Sequence, residues 1–273
     1  MEDGRLKKKV CLDNELLLCK IPVDVYLHHL IPRMGVLGFY QLILAAPTLY
    51  RTLVWDKKLS FWNVLIHMLQ CQMKHVGMTA EYERKLLLYL TIGTNTYLCG
   101  GFLLAVLHGE PTHWTDMDIV RTGFPTTSDI FNDTTCDLLK TMNEHWVNES
   151  QYPLSSAKDP FLYSYLDTTC LFHGTDYSDK NVVAVVNVLP KLQIIYYPTY
   201  EQSVPNFHFD FCRVSFGNGK LRFHGNLQSV LSKSCRIDAG ERFFKSHQYI
   251  LSSAVGAVEC IQKYRLRGYN VQL

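Results

Sequence analysis

The chain has no Cys-x-x-Cys pair among its nine cysteines, which leaves a zinc ribbon or a thioredoxin-like redox centre without its ligands. It has no excess of either charge. Twenty-seven Lys and Arg stand against 25 Asp and Glu, a formal net charge of +2, so a protein living on bulk positive charge is excluded and any nucleic-acid contact is local. It has no apolar run of the ~20 residues that a spanning helix needs. The longest stretch, residues 34–50, is interrupted by Gly35, Gly38 and Pro47, and membrane insertion is not expected. A secretory leader is also missing: Lys7, Lys8 and Lys9 lead into a short apolar run that already holds Asp13 and Glu15. There is no Gly-x4-Gly-Lys-Ser/Thr loop, no His-Glu-x-x-His and no Gly-x-Ser-x-Gly, and Gly217-Asn218-Gly219-Lys220 has the spacing of a hairpin turn. Internal repeats and low-complexity blocks are absent.

What is present is a chain of 273 residues, 47% apolar, with ample material for a sizeable core. Disorder on the scale of the whole chain is excluded. The length suits one large domain, or a domain with a small appendage. The cysteines are odd in number and mostly embedded in apolar runs such as Tyr97-Leu98-Cys99, the pattern of reduced, buried thiols in an intracellular protein, cytoplasmic or nuclear. The eleven histidines are dispersed, and His28, His29 and His113 read as surface groups or neighbours of a site rather than zinc ligands.

Along the chain, residues 1–20 read as a basic lead-in. Residues 21–55 read as short helices joined by corners at Pro22, Pro32 and Pro47. Apolar periodicity predicts longer helices over 59–76 and 80–90. A short strand over 96–99 then runs into Gly100-Gly101 and a helix over 102–107. A strand over 116–120 follows. The polar stretch 121–180 reads as a lid or insertion with one helix near 135–147. Strands are predicted over 182–189, 192–197 and 207–216, with a hairpin at 217–219 leading into 220–224. A helix over 241–267, stopped by Gly268, closes the chain. The expected fold class is α+β, a helical N-terminal region (1–58) followed by a mixed sheet flanked by helices (59–273).

One constellation carries chemistry. Gly100-Gly101 is followed by fourteen residues and then Asp116-Met117-Asp118-Ile119, and a further carboxylate, Asp210, sits in Phe207-His208-Phe209-Asp210-Phe211. Residues i and i+2 of a strand face the same side, so Asp116 and Asp118 project together. A third carboxylate from a neighbouring strand would complete an oxygen-rich pocket suited to Mg²⁺. Two glycines at a strand-to-helix turn let the backbone approach a phosphate at the helix N-terminus. Each piece alone also has a plainer reading: a common turn, a solvated strand edge, a buried acid with a partner. Alternation along 207–211 puts the three Phe on the core face and Asp210 on the other. Lys191 and Gln193 face either that pocket or solvent.

The segment from Cys99-Gly100-Gly101 to Asp116-Met117-Asp118-Ile119 resembles the nucleotidyltransferase superfamily, the fold of DNA polymerase β, and within it the Gly-Gly branch that includes tRNA nucleotidyltransferases. It is also similar to nucleotidyltransferase-like proteins of large DNA viruses and phages. The resemblance spans roughly residues 90–220. It implies that Asp116 and Asp118 hold two Mg²⁺ ions, that Asp210 ligates the catalytic one and helps activate the acceptor hydroxyl, and that Gly100 and Gly101 contact the phosphates of a nucleoside triphosphate. The implied activity is metal-dependent transfer of a nucleotide to a hydroxyl acceptor, with the acceptor open. Leu103, Leu104 and Ala105 stand where tRNA-type enzymes carry an Arg and an Asp, which argues against CCA addition. Lys263-Tyr264-Arg265-Leu266-Arg267-Gly268-Tyr269 is similar to a basic tail motif of the viral and phage proteins, making Lys263 and Arg267 nucleotide-contact candidates; a solvated basic helix end is the equal alternative. Residues 21–55, with Ile21-Pro22-Val23-Asp24 at the start and Trp55 at the end, resemble an F-box, which implies docking onto the adaptor of a cullin-type ubiquitin ligase; a plain helical cap is the alternative. The competing functional readings are therefore a catalytically retired nucleotidyltransferase fold used as a binding or scaffold module, and an F-box-type adaptor.

Overall fold

The computed structural model describes residues 17–75, 78–111, 117–125, 183–189, 192–207, 209–236, 258 and 261–272. The expectations placed on residues 1–16, on the stretch 126–180 with its helix near 135–147, on His113, Asp116, Lys191 and His208, and on most of the closing helix lie outside the described residues. The architecture is α+β, a helical N-terminal region followed by a mixed sheet flanked by helices. It resolves into two compact units, one of residues 1–79 with 105–114 and one of 80–104 with 115–273.

The first unit is helical, and its breaks follow the prolines. Pro22 immediately precedes the short helix Val23–Val25, which passes through a π-helical turn, Tyr26–Leu30, into α1 (Ile31–Leu44), with Pro32 in the first turn. Pro47 opens the next short helix, Pro47–Tyr50. At Pro22 and Pro47 a missing N–H costs no intrahelical bond, because the first turn leaves its donors unpaired anyway, whereas Pro32 follows the π-helical turn without a break and forgoes one. Helix α2 (Phe61–His75) buries Val64, Leu65, Met68, Leu69 and Met73, a helical stripe that packs on α1. Tyr26, Ile31, Val36, Phe39, Ile43, Leu49 and Leu53 complete this core. The Tyr26 hydroxyl donates to the Leu18 carbonyl at 2.6 Å, and burial pushes its pKa up to about 12. Among the described residues no single helix is long and apolar enough to cross a membrane.

Gly35 bends α1. Its φ of 71° and ψ of 171° lie in a region that only glycine enters readily, and a Cβ there would overlap the backbone of Leu107, His108 and Gly109.

The second unit begins with α3 (Ala80–Ile92), which lies against two strands of a six-stranded sheet, β1 (Thr96–Cys99) and β5 (Val214–Gly217). The other strands are β2 (Met117–Thr122), β3 (Ala184–Leu189), β4 (Leu192–Tyr197) and β6 (Lys220–Phe223), in the order β3-β4-β2-β1-β5-β6. Only β2 and β4 are parallel. Helix α4 (Gly100–His108) follows β1 directly, starting in this unit and finishing in the first. Asn218 and Gly219 both take positive φ between β5 and β6, the geometry a tight two-residue hairpin needs. Helix α5 (Leu227–Ser232) leads to β7 (Ser234–Arg236), which pairs in parallel with β8 (Asn270–Gln272).

The strand expected over 207–216 is corrected. Its first half is a helical turn, Asp210–Cys212, and the strand proper is only Val214–Gly217. Aromatic packing accounts for the turn. Phe209 and Phe211 stack at 5.2 Å, 5° from parallel, and both meet Tyr264, while Phe211 also meets Tyr269. Phe207 leaves this group and packs instead with Tyr97, Val120, Ile195 and Val204.

Gly35→Ala is expected to destabilise the chain by about 2 kcal/mol or more, since backbone strain of this kind alone costs about 1–3 kcal/mol and the overlap adds to it. Chemical unfolding of the two proteins side by side measures it.

Candidate functional site

The site is built where β1 passes into α4 without a loop. Gly100 makes the turn with φ of +69°, and a Cβ on it would stand 2.7 Å from Oδ2 of Asp118. The Asp118 carboxylate therefore fills the space that glycine leaves, next to the first turn of a nine-residue helix, where backbone N–H groups and the helix dipole favour negative charge. Gly101 is the second residue of that helix.

Asp118 is held there by strand register. It lies opposite Cys99 on β1 and beside Gln193 on β4, while Cys99 in turn faces Ser215 on β5, and Ser215 faces Arg222 on β6. Directly paired residues share a face, so Gln193, Asp118, Cys99, Ser215 and Arg222 form one polar row across five strands. The next row, one residue along, is apolar: Ile194, Ile119, Leu98, Phe216 and Leu221. Cys99 is fully buried, and burial together with the nearby Asp118 charge pushes its thiol well above the ordinary value, so it stays protonated.

At the far end of the row the Tyr200 hydroxyl lies 2.6 Å from Ser215 Oγ and 2.5 Å from His224 Nε2. Burial lowers the His224 pKa, as does the adjacent Arg222 charge. With His224 neutral and accepting at Nε2, the Tyr200 hydroxyl donates to it and accepts from Ser215. Burial raises the Tyr200 pKa. The Arg222 guanidinium sits 5.7 Å from the ring centres of both Tyr97 and Tyr200.

The remaining candidates fall elsewhere. Asp116 lies outside the described residues. Asp210 is not on a strand facing a pocket, as alternation predicts; it opens the turn Asp210–Cys212, and its Oδ1 is 2.8 Å from an Arg213 nitrogen. Arg213 also donates to the Phe207 carbonyl. The tail motif has a structural use: Tyr264 and Tyr269 enter the aromatic group with Phe209 and Phe211, Arg265 donates twice to the Val271 carbonyl, and Arg267 lies over the Tyr264 ring. Lys263 is exposed on the helical turn. The structure thus brings Gly100, Gly101 and Asp118 together and gives Asp210 a cationic partner of its own. Among the described residues no three His, Cys, Asp or Glu side chains gather as a metal-binding set.

Sequence reasoning missed the placement of Ser215 and Arg222, which meet through register between strands, and of Tyr200 and His224, which lie just past strand ends. Comparison with protein-family models, curated proteins and solved structures finds no match to this chain.

The His224 environment gives a pH dependence of stability. Its folded-state pKa lies below the ordinary 6.5, so the unfolded chain takes up the proton first on acidification. Stability is full above 6.5 and is lost as pH falls from there through the lowered value. The thermal midpoint is expected to drop between about pH 7.5 and 5.5, and His224→Gln to flatten part of that slope.

Proposed function

We propose that the second unit binds a nucleoside triphosphate with Mg²⁺ at the corner of Gly100, Gly101 and Asp118, as a nucleotidyltransferase-like core whose role is binding rather than transfer. The observation that carries this is the fit of Asp118 into the space left by Gly100 at the head of α4. It sets a carboxylate for the cation beside backbone N–H groups for the phosphates. Asp118 would help hold Mg²⁺ there, with Asp116 the second carboxylate that the resemblance supplies, and the ion would offset the charge of the phosphates. The placement of Asp210 supports binding over transfer, because it opens a helical turn and bonds Arg213 instead of standing on a strand beside Asp118. Among the described residues Cys19, Cys71, Cys99, Cys212 and Cys235 carry thiols, which suits the intracellular location proposed for it.

Titration calorimetry with each non-hydrolysable nucleoside triphosphate and Mg²⁺ tests the reading. Metal-dependent binding is expected in the wild type and a loss of at least about tenfold in Asp118→Asn or Gly100→Val, as for removal of a metal ligand or its support. Absence of binding by the folded wild type refutes it. Transfer of label from a nucleoside triphosphate to any hydroxyl acceptor, abolished in Asp210→Asn, would restore the enzyme reading.

A second reading concerns residues 21–55. Their helices bury Tyr26, Ile31, Val36, Phe39 and Ile43, yet Leu44 is 67% and Trp55 73% exposed, the large apolar groups an F-box-type surface would offer a ubiquitin-ligase adaptor. Under this reading the full chain binds a purified cullin-ligase adaptor in a sensor experiment and Trp55→Ala with Leu44→Ala weakens it at least tenfold. No binding by the wild type leaves these helices a structural cap.

A further inference from the structure

Two-metal catalysis, which the nucleotidyltransferase resemblance implies, needs a third carboxylate next to the first pair. The strands that flank Asp118 do not supply one. On β1 its neighbour is Cys99, a buried thiol. On β4 its neighbour is Gln193, in parallel register, with Met117 opposite Leu192 and Ile119 opposite Ile194 on either side. Neighbouring strands lie about 4.8 Å apart and paired residues share a face, so Gln193 and Asp118 project from the same face of adjacent strands. The remaining candidate, Asp210, has its charge answered by Arg213 at 2.8 Å.

We propose that Gln193 is the third side chain of the Gly100–Asp118 corner, and that the corner takes one divalent cation with a triphosphate rather than two. The proposal rests on the nucleotide reading above and deepens it. A glutamine keeps an oxygen at the place where a third carboxylate would stand, and a carbonyl oxygen is an acceptable ligand for a hard cation. Its NH₂ group adds a donor suited to a phosphate oxygen. What glutamine lacks is charge. Two dications held a few ångströms apart repel strongly and are stabilised by several carboxylates together with the phosphates. Among the described residues this row carries one carboxylate, Asp118, and the resemblance supplies Asp116 as the other, which suits one ion rather than a pair.

Counting ions tests this directly. Mn²⁺ is titrated into the full-length chain with a non-hydrolysable nucleoside triphosphate, and bound ions per chain are read by electron paramagnetic resonance after correction for Mn²⁺ held by free nucleotide. One ion per chain is expected. Gln193→Glu is expected to take up a second ion, and Gln193→Met, which keeps the length and packing of the side chain, to weaken ternary binding by about tenfold, the lower end for loss of a group supporting a metal site. Two ions in the wild type, or a Gln193→Met chain that binds as the wild type does, overturns the proposal while leaving nucleotide binding in place. A folded wild type that binds no nucleotide with metal overturns both. Circular dichroism on each variant confirms that the sheet is intact, and the wild-type ion count stands without any variant.

Discussion

Because Cys99 faces Asp118 on one side and Ser215 on the other, the register of one four-residue strand decides what the whole sheet presents. A shift of a single residue would exchange the polar row for the apolar one, turning Leu98, Ile119 and Phe216 toward the face that now carries Asp118. The apolar row holds the register. Leu98, Ile119, Ile194 and Phe216 are all buried, and a slip would set Asp118 and Gln193 in their places, where burying a charge without a partner is costly. The corner at Gly100 then follows, since Asp118 reaches the start of α4 only in this pairing. Chemistry at one end of the central strands is thus fixed by hydrophobic packing one residue away.

The parts of this arrangement that were legible are the local ones. Periodicity located the helix found at Phe61–His75 and the one at Ala80–Ile92, and β-branched and aromatic content located Thr96–Cys99 and Leu192–Tyr197. The Gly-Gly turn and the Asp118 strand were readable because a single stretch of chain holds both. Pairing partners were not readable. Nothing within β4 tells Gln193 that its neighbour is Asp118, and nothing within β5 tells Ser215 that it lies opposite Cys99. Asp210 shows the reverse error: alternation of Phe207, Phe209 and Phe211 is what a strand would show, but the last two are drawn into a tight turn by Tyr264 and Tyr269, far along the chain.

The same competition between local pattern and distant partner explains the basic tail motif. Its positive charges draw attention, yet the residues that organise it are the two tyrosines, which close an aromatic group over Phe209 and Phe211, with Cys212 donating to the Tyr264 hydroxyl at 3.1 Å. Arg265 serves the backbone by bonding the Val271 carbonyl and so supports the pairing of β8 with β7. Charge here assists packing, whereas at Asp118 packing sets the position of charge.

The central place of β1 has a consequence for how the chain is made. During synthesis Thr96–Cys99 can pair with β2 soon after both emerge, but its other edge has no partner until Val214–Gly217 has been added. Through that interval an apolar Tyr97-Leu98-Cys99 edge stands open, a template for any other unpaired strand nearby. Slow elongation through the intervening stretch prolongs that exposure.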